Sequence, residues 1–303
     1  MPAFLRVLDE GQDWQPHSAG VLQHMRDRLE ELKRQASRPL TAPGHKIFSM
    51  RIAVAGGTGT VGRHVVELAR ERGHEVVSLS RAEGADLVNG SGLAQALNQV
   101  EAVIDVSGIQ TNSTKKAVDF FTNATQNLLA AEADAGVQHH VALSIVGIDG
   151  ATSGLYAGKL VQEDEVRHGG IPWTLLRSTQ FHEFVPLTVR LGTVGPLVAV
   201  PKMFTQPVAA WEVAEALVKA TETGPARRMT DMGGPRTENL ADLVRAYLHK
   251  TGQRKKVLEA VLPGSMGKAM RSGALIPAPG AAVGRQTFAE WLEASSGRDS
   301  QEK

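Results

Sequence analysis

The sequence predicts an α/β fold, a doubly wound parallel sheet followed by a small C-terminal α/β substrate lobe. Three observations carry that expectation. From Met50 onward, short apolar strands alternate with helices, the pattern of a parallel sheet covered on both faces. A glycine-rich stretch, Ala55-Gly56-Gly57-Thr58-Gly59-Thr60-Val61-Gly62, joins the first strand to the first helix. Hydrophobic residues make up 42% and charged residues 21% of the 303 residues, the mix of a chain with enough apolar surface to fill a core.

The elements follow in order. Residues 1–49 form an extension with one charged helix at 21–36, where Val21, Leu22, Met25, Leu29 and Leu32 supply a narrow apolar stripe. A Pro/Gly linker at 38–44 follows. Two readings stay open for the extension: a loosely attached segment that precedes a start at Met50, or a docking or dimerisation helix. The nucleotide-binding unit is expected over 50–182. It contains a strand at 51–55, a helix at 62–72 closed by Gly73, a strand at 75–80 and a short strand near 85–88. A helix at 91–100, a strand at 102–108 and a long helix from 113 to 135 come next, the last closed by Gly136. A strand at 140–147, a helix at 156–168 and a strand at 173–179 complete the series. Right-handed crossovers then wind the sheet both ways. Beyond 183 the elements are shorter: a strand at 197–200, helices at 211–223 and 238–251, a strand near 256–261 and a last helix at 285–294. They are expected to form a separate lobe over 183–303.

The glycine stretch carries the chemistry. Gly57-x-Gly59-x-x-Gly62 sits between a strand and a helix, the context that separates a dinucleotide loop from a chance string of glycines. The first turn needs a positive φ, the backbone must approach a pyrophosphate closely, and the last glycine lets the helix pack on the strand. The loop from Gly56 through Thr58, Thr60 and Val61 to Gly62 then presents free N–H groups to phosphate. This is the Rossmann-type arrangement. About 20 residues on, an acid would accept from a ribose 2′-hydroxyl. Ser80 and Arg81 stand there instead. Arg81 offers a planar, permanent charge that suits a 2′-phosphate, and Arg63 is a candidate to assist from the other side. The expected cofactor is therefore NADP(H) in preference to NAD(H). Asp86 and Leu87 are candidates to meet the adenine, and Ser107 and Gly108 to let the cofactor pass close to the backbone.

The stretches AVAGGTGTVGRHVVELARERGHEVVSLSR, LSIVGID, YAGKLVQEDEVRHGGIPWTLLRSTQFHEF and QPVAAWEVAEALVKA together resemble the atypical short-chain dehydrogenases/reductases, specifically the NmrA-like NAD(P)H-binding group. The resemblance runs from about Met50 to Leu292. It implies a catalytic-site serine at Ser144, a nicotinamide-ribose contact at Lys159, and a substrate cleft lined by Thr179, Gln180, Phe181 and Phe184, with His182 near it. Active reductases of that superfamily carry Tyr-x-x-x-Lys. Here Leu155 holds the tyrosine's place and Tyr156 stands one residue later, about 100° further around the helix. Tyr156 is kept as a catalytic candidate on the condition that the helix starts late or distorts at Gly154 or Gly158. Two functions follow: an NADP(H)-dependent oxidoreductase acting on a small carbonyl or quinone-like substrate, or a non-catalytic NAD(P)H-binding redox sensor resembling NmrA.

Other classes lose support. A formal net charge of +1 provides no broad field for nucleic acid or anionic lipid. With no cysteine, thiolate chemistry and cysteine zinc sites are absent. No apolar run approaches the roughly 20 residues of a membrane helix, so a cytoplasmic, soluble monomer or homodimer is expected. No metal site is expected: His139 and His140 have no ligand at metal spacing and are read as solvated residues between helix and strand. Because the strand-helix series begins at Met50, a chain starting there is expected to keep its melting temperature and its NADPH affinity. Aggregation or loss of binding would show that the extension covers core surface.

Overall fold

The structure, a computed structural model, describes residues 49–298; the extension and its charged helix at 21–36 lie outside them. β1 (Arg51–Ala55) leads through the glycine turn to α1 (Gly62–Glu71) and β2 (Glu75–Leu79). Then come α2 (Leu93–Ala96), β3 (Ala102–Asp105), α3 (Thr114–Ala135), β4 (His139–Ile145), α4 (Gly154–His168) and β5 (Trp173–Ser178). The second half runs α5 (Phe184–Gly192), β6 (Thr193–Val194), β7 (Leu197–Pro201), β8 (Phe204–Thr205), α6 (Ala210–Thr223), β9 (Arg227–Arg228), β10 (Met232–Gly233) and β11 (Glu238–Asn239). It closes with α7 (Leu240–Lys250), β12 (Lys256–Ala260), α8 (Gly264–Ser272), β13 (Ala282–Val283) and α9 (Phe288–Arg298). No described helix is long and apolar enough to cross a membrane.

The main sheet has the order β13-β10-β5-β4-β3-β1-β2, with β9 beside β5, and every pairing in it is parallel. The chain leaves β1 toward one edge and returns to β3 on the other side, so a crevice opens at the carboxyl ends of β1 and β3. Strand alternation sorts the side chains. Ile52 and Val54 of β1 join Val65 of α1 and Val213 and Leu217 of α6 on one face. Ala53 and Ala55 join Leu93 of α2, Val103 of β3 and Leu128 of α3 on the other. Full burial of side chains such as Val213 and Leu217 contributes about 1.5–3 kcal/mol each. Helix α3 begins where the Ser113 hydroxyl accepts from the Lys116 amide at 3.3 Å and ends at Gly136, whose φ of +73° an L side chain rarely adopts.

Three expectations differ from what is found. Residues 85–88 form no strand: a short 3₁₀ turn at Arg81–Glu83 precedes them, and Asp86 Oδ1 accepts from the Val88 amide at 2.8 Å, fixing a local turn that takes the place of ladder bonds. The helix expected over 91–100 shortens to α2. The division at residue 182 also fails to follow the elements. Helix α6 packs on the main sheet, and β9, β10 and β13 extend that sheet. The apolar stripe of α6 serves the sheet face that α1 leaves uncovered. The lobe proper is α5, α7, α9 and the strands β12-β7-β6, around Val189, Val198, Val244, Leu248 and Phe288.

The histidines are the sharpest correction. His139 and His140, expected in solvent, are 2% and 0% exposed within β4. His140 Nδ1 meets Glu132 Oε1 of α3 at 2.8 Å, with both side chains buried. Burial opposes charge on the ring, but the Glu132 carboxylate outweighs it and holds His140 above the usual imidazole range. His139 points to the other face, within 2.8 Å of Thr174 Oγ1, and burial pushes it down to about 4, so it is neutral. Glu132→Leu alone leaves His140 buried without its carboxylate and is expected to cost about 3–5 kcal/mol, or roughly 10 °C in Tm for a chain of this size. Adding His140→Leu is expected to recover most of that loss, since an apolar pair of similar volume needs no charge partner. Thermal melts of the single and double variants check this; a double variant as unstable as the single would place the source elsewhere.

Candidate dinucleotide site

The crevice at the ends of β1 and β3 is a cavity of about 670 Å³. Its floor is the glycine turn. Gly56 has a φ of +81°, and a Cβ there would stand 2.8 Å from the Val106 carbonyl oxygen and 2.9 Å from Ser107 Cα. A Cβ on Gly62 would lie 2.0 Å from the Gly56 carbonyl oxygen, so α1 starts in backbone contact with the turn. The Gly59 amide closes the turn onto Gly56 O at 2.9 Å. Gly57 packs under β2, where a Cβ would meet Ser78 Oγ at 2.6 Å. Thr58 and Gly56 face the cavity. Thr60 is half-buried beside it, and Val61 is buried in the core and anchors the helix.

Three further walls come from residues named in the sequence. Ser80 and Arg81 stand at the end of β2, Asp86 and Leu87 on the turn that follows, and Ser107 and Gly108 after β3. Glu83, two residues after Arg81, accepts from the Ser80 hydroxyl at 3.1 Å and is not among the lining residues. Arg63 is absent from the lining too; its charge acts on Glu183, whose carboxyl burial pushes up and Arg63 pulls down. The fourth wall was missed. Lys116, Asp119, Phe120 and Asn123 of α3 line it, at the i, i+3, i+4, i+7 spacing of one helix face. That spacing is legible in the sequence once α3 is known to border the crevice. A glycine cradle that a Cβ would fill, two cations and an acceptor at Asp86 fit a dinucleotide.

Lys159 lies below this cavity, 7% exposed. Its ammonium donates to Ser107 O at 3.2 Å, Leu143 O at 3.0 Å and Gln162 Oε1 at 2.7 Å, and it stands 4.7 Å from the centre of the Phe121 ring. Burial pushes Lys159 down to about 8, against the pull of Asp105 and Glu163. Ser144 is buried against Glu163. Burial pushes the Glu163 carboxyl up, but Arg177, Ser144 and Arg167 together hold it below the usual carboxylate range. Arg177 grips Glu163 at 2.6 and 2.7 Å and Asp149 at 2.6 and 2.8 Å.

Tyr156 occupies a different environment. Helix α4 begins at Gly154, so the helix does not start late enough to return the phenol to the Lys159 face. Tyr156 packs on the core of the C-terminal lobe and lies against Gln180. Burial pushes its phenol up, only partly offset by Gln180. Gln180 in turn accepts from the Thr205 hydroxyl at 2.8 Å. The other cleft candidates are spread over structural contacts. The buried Thr179 hydroxyl donates to Gln206 O at 2.6 Å. Phe181 bridges to Val208 and packs on the main core, while Phe184 packs with Tyr156 on the lobe core. His182 is fully buried, with Nε2 at 3.2 Å from Gln286 O, and burial pushes it down to about 4. Its ring centre stands 5.8 Å from those of Phe288 and Trp291. Tyr156, Gln180 and Phe184 thus come together at the lobe, while Lys159 is engaged by Ser107 O, Leu143 O and Gln162, and Ser144 is buried in β4.

Comparison with known proteins agrees with this geometry. A family model described as NAD(P)H-binding matches residues 56–223, more than half of the chain. Photosystem II assembly factor Ycf39 of Synechocystis is 36% identical over 113 residues, covering 32% of this chain and 34% of that protein. A (4-alkanoyl-5-oxo-2,5-dihydrofuran-3-yl)methyl phosphate reductase of Streptomyces griseus is 30% identical over 140 residues, covering 43% of this chain and 48% of that protein. The matches thus span a third to a half of these relatives' length. In fold, the chain is similar to the quinone oxidoreductase QOR2 of Escherichia coli complexed with NADPH, with a TM-score of 0.58, 18% identity, and coverage of 80% of this chain and 99% of that one. The family match, the parallel sheet and the glycine cradle converge: the chain belongs to the NAD(P)H-binding family.

Proposed function

We propose that this protein is an NADP(H)-dependent oxidoreductase that reduces a small carbonyl or, preferably, a quinone-like substrate. The observation that carries the cofactor is Arg81 on the cavity wall, with Glu83 engaged by Ser80. A guanidinium there suits a 2′-phosphate and stands where an acid would otherwise hold a 2′-hydroxyl. The amides of the Gly56–Gly62 turn would hold the pyrophosphate, Asp86 would accept from the adenine amino group, and Ser107 and Gly108 would let the dinucleotide lie against backbone. The nicotinamide, when bound, supplies the hydride.

In this reading Tyr156 and Lys159 form no phenol–ammonium couple: Tyr156 packs on the lobe core, while Lys159 donates to the carbonyls of Ser107 and Leu143. A quinone tolerates this. Hydride addition gives a hydroquinone anion that takes its proton from water, so NADPH, quinone and one proton yield NADP⁺ and hydroquinone. QOR2, an NADPH-dependent quinone oxidoreductase, and the Streptomyces reductase support an oxidoreductase reading. A second reading, a non-catalytic redox sensor of NmrA type, is favoured by one observation: Ser144 is buried, and Tyr156 is half-buried on the core of the C-terminal lobe. NADPH oxidation measured at 340 nm with a panel of quinones and aldehydes, beside binding alone, separates the two.

Two outcomes are expected. NADPH binds more tightly than NADH, and Arg81→Ala weakens NADPH selectively by roughly ten- to hundredfold, the loss of a charge-assisted hydrogen bond. Fluorescence titration checks this, and equal affinity of the unmodified protein for both cofactors overturns it. Tyr156→Phe leaves kcat within about tenfold on any substrate found, short of the roughly 10²–10⁴ that a general acid contributes. A hundredfold drop with NADPH binding intact would return Tyr156 to the proton-transfer step.

A further inference from the structure

The buried chain Asp105–Gln162–Lys159–Ser107 closes into a ring beneath the dinucleotide cavity. Asp105 Oδ1 accepts from the Ser107 amide at 2.8 Å. Asp105 Oδ2 accepts from Gln162 Nε2 at 2.8 Å. Gln162 Oε1 accepts from Lys159 Nζ at 2.7 Å, and Lys159 Nζ donates back to Ser107 O at 3.2 Å. Gln162 is 1% exposed and Asp105 likewise. The ring therefore holds the backbone of Ser107 at both its N–H and its C=O, one in each flanking peptide. Ser107 is the wall against which Gly56 packs and which lines the cavity.

An ammonium has three donors and no acceptor. All three are directed to protein oxygens here: Ser107 O, Leu143 O and Gln162 Oε1. A ribose contact by Lys159 would have to displace one of them. Neutral Lys159 has two N–H donors, so deprotonation leaves one buried acceptor unserved and loosens the ring. We propose that Asp105 and Gln162 are positioning residues that spend Lys159 on clamping the Ser107 wall, so that dinucleotide affinity depends on the identity of residue 162. The inference rests on the cofactor reading above only for its binding readout.

The charged and polar groups facing Lys159 are Asp105 from β3, Glu163 and Gln162 from α4, and the Phe121 ring from α3. Lys159 is held at about 8, so the clamp is complete below that pH and loosened above it. Two variants of the full chain bracket the idea. Gln162→Leu removes the acceptor that favours the ammonium and moves the loss to lower pH. Gln162→Glu places a carboxylate against Lys159 and moves it to higher pH, while the link to Asp105 Oδ2, which needs the amide donor, is open at every pH. A role confined to packing would change Tm in both variants without moving the midpoint in opposite directions.

The test is NADPH affinity by fluorescence titration from pH 6.5 to 9.5, with hydrogen exchange of the 106–109 amides in protein without cofactor, corrected for intrinsic rates. In the unmodified protein the Kd is expected to rise roughly tenfold through the step, the scale of one unsatisfied buried hydrogen bond. Amide protection is expected to fall over the same range. Lys159→Met should abolish both steps. Identical midpoints in the unmodified, Leu and Glu forms would overturn the inference, and Gln162→Glu alone decides if the Leu form fails to fold. Absence of NADPH binding at every pH, with the protection step still present and moving, would count against the cofactor reading and leave the clamp standing.

Discussion

The backbone contact between Gly56 and Ser107 is the constraint on which the site depends. The chain leaving β1 and the chain leaving β3 meet there so closely that no Cβ fits at residue 56. That approach brings the turn amides and the β3 end to one cavity, and it fixes where Arg81 and Asp86 open onto the crevice. A glycine at 56 permits the approach; the ring through Asp105, Gln162 and Lys159 fixes its other side. Neither half suffices. A glycine turn without a held partner strand would leave the wall free to drift, and a held wall without Gly56 would have no room for the turn.

Much of this was legible in the sequence because it is local. The strand-glycine-helix stretch specifies φ, close approach and helix packing within a dozen residues. Arg81 and Asp86 follow from their distance along the chain after that turn. What was not legible depends on long-range contact. His140 carries no mark of burial, since the carboxylate that accommodates it, Glu132, lies on the preceding helix and faces it only once α3 docks on β4. The α3 wall is invisible until α3 is known to run along the crevice. Helix α6 reads as part of a distal lobe because its apolar stripe does not say which core it fills.

The tyrosine shows how far a short pattern reaches. The one-residue displacement of Tyr156 relative to Lys159 is a statement about angle, and the one left-handed residue of α4, Gly154 at φ +62°, lies ahead of both, so the angle persists. Phenol and ammonium then answer to different neighbours, a lobe core for one and strand carbonyls for the other. The expectation for Ser144 and for the cleft residues came from resemblance. These side chains depend on which partners the fold offers them. Thr179 donates to the Gln206 carbonyl and Ser144 is buried within β4, placements that no spacing encodes.

The two faces of the sheet are not equivalent, and this accounts for the location of the clamp. On the α1–α6 face, β1, β4 and β5 present Val54, Val141, Leu143 and Leu176 to an apolar layer. On the α3–α4 face, β3, β4 and β5 present Asp105, His140, Ser144 and Arg177, met by Glu132, Lys159, Gln162 and Glu163. A buried charge without a partner is costly, and an apolar replacement for a whole pair is often neutral. Such a face therefore adds little net stability over a hydrocarbon one. What it adds is direction: hydrogen bonds hold fixed distances and angles where apolar contacts slide. The polar face lies under the cavity wall at Ser107, where position matters most, and the apolar face lies where α1 and α6 need only exclude water.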